Sequence, residues 1–119
     1  MLTTLGKELR KLRIDQGLNM LEMAGAMNYS TAMLSAIETG KKKVPGDFVD
    51  RLIRACPTTA ASQDQWQTWA NLANREARVP LDGTREEDAQ LITELARRFS
   101  ELSVKDKGRL RAVLRKESL

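Results

Sequence analysis

The sequence has no histidine and a single cysteine, Cys56. It therefore lacks the imidazole and thiolate ligands of a structural zinc site and the partners of a Ser-His or Cys-His nucleophile. A disulfide within the chain is impossible. No glycine-rich phosphate loop is present either, so no catalytic residue, metal or cofactor is expected and an enzyme is the least supported class. Aromatic residues make up only 4% of the chain and prolines number three. Leu, Ala, Arg, Lys and Glu are plentiful, a composition that favours helices over strands. No apolar run approaches the roughly 18 residues of a membrane span, and the N-terminus lacks the charged-then-apolar order of a secretory signal. A cytoplasmic protein without membrane contact is expected.

What remains is a 119-residue chain, 41% hydrophobic and 30% charged, which is enough for one domain or one small domain with an appendage. Twenty basic and sixteen acidic residues leave a net charge of +4. Residues 1–58 carry nine basic and six acidic groups, against eleven and ten in residues 59–119, so the positive excess lies mainly in the first half. Such a balance suits an acidic partner but by itself mostly reports solubility.

Periodicity predicts an all-α chain. Thr3 or Thr4 caps a first helix with Leu5, Leu9 and Leu12 on one stripe, ended by Gly17. Asn19, with Glu22 three residues on, opens a second helix to about Met27, whose inward face is Met23, Ala24 and Met27; Asn28 ends it. Ser30 caps a third helix to about Thr39, in which Met33, Leu34 and Ile37 define one face and Thr31, Ala32, Ser35 and Ala36 the other. Gly40 closes it. Lys41, Lys42 and Lys43 then form a basic loop before a fourth helix opened by Asp47 and stopped by Pro57. The small polar stretch Thr58 to Ser62 reads as a connection, which puts the expected boundary between residues 58 and 59. Beyond it, Ser62 with Gln65 and Thr84 with Glu87 form two capping boxes. They precede helices carrying Trp66 and Trp69, and Leu91, Ile92, Leu95, Phe99 and Leu102. Ser103 starts a last helix with Val104, Leu110, Val113 and Leu114.

Two short helices joined by a tight turn, the second with a small-residue outer face and a lysine loop after it, have the layout of a helix-turn-helix. A buried helical hairpin in a bundle has the same periodicity. The residues narrow the choice. Leu5, Gly6, Leu9, Leu12 and Arg13, then Gly17, Leu18 and Asn19, and above all the run Leu34, Ser35, Ala36, Ile37, Glu38, Thr39, Gly40 and Lys41 with Pro45 beyond, resemble the phage repressor, Cro and xenobiotic-response-element (XRE) family of helix-turn-helix regulators. The resemblance covers Leu5 to Cys56. It implies a lambda-repressor-like fold for residues 1–58, followed by about three helices, and double-stranded DNA as partner.

By that resemblance, the third helix enters the major groove and sets Thr31, Ala32, Ser35 and Ala36 against base edges. These are modest readers: hydroxyls that donate or accept, and methyls suited to thymine, with no bidentate purine contact. Asn19, Lys41, Lys42 and Lys43 fall where relatives touch the DNA backbone, contacts that set register and affinity without reading sequence. Met20 departs from the pattern, standing where many relatives have Gln, so no side-chain phosphate contact is expected there. Arg13 and Glu38 resemble a structural ion pair that ties the first helix to the third.

Other features carry bland explanations. Glu86, Glu87 and Asp88 lie in a first helical turn, where the dipole favours them. Cys56 reads as a buried thiol, Trp66 and Trp69 as core or interface anchors, and Met33 as either a core filler or a groove contact. The basic residues of the last helix point around its circumference. The faces built from Leu91, Leu95, Phe99 and Leu102 and from Leu110, Val113 and Leu114 are larger than a short tail needs, so dimerisation through residues 85–116 is expected; their alternative is packing on the first four helices. The resemblance implies a repressor that binds an inverted repeat as a homodimer. Its family also includes antitoxins, which leaves a protein partner such as a toxin or an anti-repressor open, and a helical interaction module that never touches DNA is the alternative from a different class.

Overall fold

Side-chain caps set where the first helices begin. The computed structural model describes residues 2–116 and contains no strand among them. Seven α-helices follow one another: α1 Thr4–Asp15, α2 Met20–Ala26, α3 Thr31–Glu38, α4 Phe48–Ala55, α5 Gln63–Asn74, α6 Glu86–Arg98 and α7 Val104–Leu114. The Thr3 hydroxyl accepts from the Gly6 amide at 3.0 Å, and the Ser30 hydroxyl accepts from the Met33 amide at 3.0 Å. Asn19 and Glu22 exchange both bonds of a capping box, at 2.8 and 3.0 Å. Gly17 (φ 67°), Asn28 (φ 62°) and Gly40 (φ 76°) end the first three helices in the left-handed conformation. The next amide wraps back each time, Leu18 to Arg13, Tyr29 to Ala24 and Lys41 to Ala36, within 2.9 Å.

Later starts differ from the pattern. Ser62 does precede α5, but its hydroxyl donates to the Thr59 carbonyl at 3.4 Å and caps nothing, because residues Pro57–Ser62 are wound into a 3₁₀ turn that aims it backward. Thr84 likewise donates to the Leu81 carbonyl at 2.6 Å, and α6 starts only at Glu86, behind Arg85, with no side-chain cap. Neither apparent capping box forms. Ser103 does cap α7, accepting from the Asp106 amide at 3.0 Å.

The chain separates into two units, Met1–Arg78 and Val79–Leu119, a division later than the one expected at residues 58 and 59. In the first unit α1 to α5 surround a core of Leu5, Leu9, Met23, Met27, Leu34, Ile37, Phe48, Leu52 and their neighbours. Trp66 and Ala70 of α5 are buried in the same core, and Trp69 meets Trp66 edge-on at 4.9 Å. Thr59 is buried too, its hydroxyl donating to the Cys56 carbonyl at 2.7 Å. The small polar stretch is therefore a turn of the first unit that buries Thr59 and leaves its other residues exposed. Its composition resembles that of a linker, but a 3₁₀ turn satisfies its backbone internally. Burial also pushes the Cys56 thiol up from its ordinary pKa, which keeps it protonated and unreactive. The second unit holds α6, a 3₁₀ turn at Phe99–Glu101 and α7, and none of its described residues is buried.

Candidate functional site

The site is assembled around α3. Leu34 and Ile37 are fully buried, and this fixes the rotation of the helix, so that Thr31, Ala32 and Ser35 are exposed and Ala36 is half-buried. Met33 is half-buried and packs against the core. The C-terminal end of α3 is held by α1. Arg13 donates from Nη1 to the Glu38 carboxylate, with the Glu38 side chain 1% and the Arg13 side chain 12% exposed. Arg13 also lies 3.9 Å from the Met20 sulfur, which gives the departing residue at that position a contact within the fold. At Gly6 a Cβ atom would fall 2.1 Å from the Glu38 carbonyl oxygen, so the two backbones touch and no side chain fits between them.

The turn before α3 is held from α4. Arg51 donates from Nη1 to the carbonyls of Met27 and Asn28 at 3.2 and 3.0 Å, and from Nε to Asp47 at 2.9 Å. Its guanidinium sits 4.6 Å from the centroid of the Tyr29 ring, which stacks on Phe48 at 6.2 Å. One cation thus closes the carbonyl end of α2, rests on an aromatic face and is itself oriented by a carboxylate. The hydrogen bond from Arg51 holds the Asp47 carboxyl below the usual carboxylate range, whereas burial and the neighbouring Asp47 charge raise Tyr29. Asp47 turns to Arg51 and leaves α4 without a side-chain cap.

Beyond α3, Lys41, Lys42 and Lys43 are exposed. Their loop is tied at its start, where the Lys41 and Lys42 amides both donate to the Ala36 carbonyl, at 2.8 and 3.2 Å. It is tied at its end by Asn74, the last residue of α5. The Asn74 side chain accepts from the Val44 amide at 2.8 Å and donates to the Val44 carbonyl at 3.0 Å.

Asn19 is exposed at the start of α2, with its side-chain oxygen engaged in the cap. The apolar candidates Leu91, Leu95, Phe99, Leu102, Leu110, Val113 and Leu114 belong to the second unit. Leu102 and Leu110 are half-covered and the other five are exposed; Lys107 lies 4.9 Å from the Phe99 ring. Glu86, Glu87 and Asp88 do lie in the first turn of α6, where Arg85 pairs with Glu87 and, at 4.0 Å, with Asp88. Among the described residues no group of three or more His, Cys, Asp or Glu could hold a metal ion, and no helix is long and apolar enough to cross a membrane.

Arg51, Tyr29 and Asn74 carry no mark of these roles in the sequence. The i,i+4 spacing of Asp47 and Arg51 announces their pair, but not its reach back to the turn between α2 and α3. For Asn74 there is no local signal, since Val44 lies thirty residues away.

A family model described as a helix-turn-helix domain matches residues 4–66, more than half of the chain and past the first turn of α5. Neither the curated proteins nor the solved structures contain a match to this chain.

Proposed function

Because the chain belongs to the helix-turn-helix domain family, we propose that it is a sequence-specific DNA-binding transcriptional regulator, a repressor that occupies an inverted-repeat operator as a homodimer. The observation that carries this reading is the exposed face of Thr31, Ala32 and Ser35 on a helix held at both ends, continued by three exposed lysines. A helix fixed in rotation and tilt can meet base edges in the major groove reproducibly, and the lysine loop adds charge where phosphates would run. Thr31, Ala32, Ser35 and Ala36 are the base contacts in this reading, Asn19 and Lys41 to Lys43 the backbone contacts, and Arg13 with Glu38 the support. The exposed Leu91 and Leu95 of α6, Phe99 of the turn after it, and Val113 and Leu114 of α7, with the half-covered Leu102 and Leu110 beside them, are in this reading the surface through which two copies pair. Repression follows from steric occupation of a promoter.

Binding of a labelled duplex across a range of salt concentrations tests it. Replacing Lys41, Lys42 and Lys43 together with Ala should weaken binding to every duplex and flatten the logarithmic salt slope by about 0.9 for each phosphate no longer neutralised. An unchanged slope would mean that the loop does not face the backbone, and the docking geometry would be wrong. Changing Thr31 or Ser35 should instead alter preference among sequences.

A further inference from the structure

The lysine loop is closed by a residue from a different helix. Asn74 ends α5, with Arg75 behind it in the left-handed conformation at φ 54° and the Glu76 amide wrapping back to the Asn71 carbonyl at 3.0 Å. The Asn74 side chain takes no part in these closing bonds. It turns to Val44, whose N–H and C=O it engages together, at 2.8 and 3.0 Å, in the manner of a strand partner. Val44 is buried and precedes Pro45, which restricts it to an extended conformation and removes the next amide donor. The two bonds fix the peptide planes on either side of Val44, and the first of those planes belongs to Lys43. With the Ala36 carbonyl holding the amides of Lys41 and Lys42, the three lysines sit on a backbone fastened at both ends.

We infer that Asn74 is a positioning residue for the backbone-contact loop: it holds Lys41 to Lys43 in the arrangement that meets phosphate, so α5 is a working part of the DNA-binding unit. The assignment rests on the reading of the loop as a phosphate contact. A loop fastened in advance loses less conformational freedom when it binds, and the gain appears as affinity without sequence preference. Nothing in the family pattern read from residues 5–56 includes this residue.

The test is a double-mutant cycle on duplex binding at fixed salt, using the full chain. Asn74→Leu keeps the branched shape and removes both bonds; Asn74→Ser serves if the leucine variant does not melt cooperatively. Loss of two hydrogen bonds should weaken binding about five- to tenfold and flatten the salt slope, with relative affinities for different duplexes unchanged. In the background where all three lysines are Ala, the same substitution should have no further effect. Hydrogen exchange at the Val44 amide should be slow in the parent, where Asn74 accepts from it, and fast in the variant. Equal losses in both backgrounds would show a general structural role and overturn the assignment. So would an Asn74 variant that binds as the parent does while the triple lysine variant is weakened. A parent that binds no duplex at all would overturn the functional reading itself, and the assignment with it.

Discussion

α1 and α6 carry the same kind of apolar stripe, yet they end in opposite conditions. Leu5 and Leu9 of α1 are fully buried, while Leu91 and Leu95 of α6 are exposed, Leu91 at 65%. The first unit buries a contiguous core and ties its helices with an interior ion pair, a backbone contact at Gly6 and the clamps of Arg51 and Asn74. The ion pairs within the second unit are exposed, and none of its described residues is buried. Periodicity reports that a helix has an apolar side and leaves open what covers it. The first unit is organised by its own core; the second has apolar surface to offer.

The largest expected contrast lies in the ion pairs. Removing Glu38 leaves Arg13 nearly buried and without its partner, so Glu38→Ala should cost about 3–5 kcal/mol in chemical denaturation. Glu94→Ala, which removes an exposed partner of Arg98 at 3.6 Å, should cost no more than about 0.5 kcal/mol. Similar losses from the two would break the distinction between the units.

Leucine truncation sharpens it next. Leu9→Ala should destabilise by about 2–5 kcal/mol, as a fully buried core leucine does. Leu95→Ala should leave the melting of the first unit unchanged and lower the mass measured by light scattering at micromolar concentration, because in the proposed dimer that side chain faces a second copy. A parent protein that is already monomeric under those conditions would remove the dimer reading of the second unit.

Glycine gives the smallest contrast and a change of sign. Gly6→Ala forces a Cβ onto the Glu38 backbone and should cost about 1–3 kcal/mol, the usual penalty of overpacking. Gly108 lies inside α7 with open space around it, so Gly108→Ala should add about 0.5–1 kcal/mol of helix stability. Thermal melts of the two variants would show it.

Much of this was legible in the residues because it is local. The caps at Thr3, Asn19, Ser30 and Ser103 and the left-handed stops at Gly17, Asn28 and Gly40 depend on neighbours within a few positions. The two false capping boxes fail for the same reason in reverse: the hydroxyls of Ser62 and Thr84 found a preceding carbonyl first, and sequence spacing cannot rank those options. The division after Arg78 was hidden because Trp66 and Ala70 look alike whether they join the first core or a second one. Arg51 and Asn74 were illegible because each acts on backbone atoms more than twenty residues away, where any residue type presents the same carbonyl.

Selection of bound duplexes from a randomised pool at near-physiological salt, followed by sequencing, asks whether two copies of the chain read an operator. The predicted result is an enriched inverted repeat with half-sites about one helical turn apart, read by the exposed face of α3 in two copies of the chain. Retention of duplexes without any enriched pattern, or no retention, would contradict it.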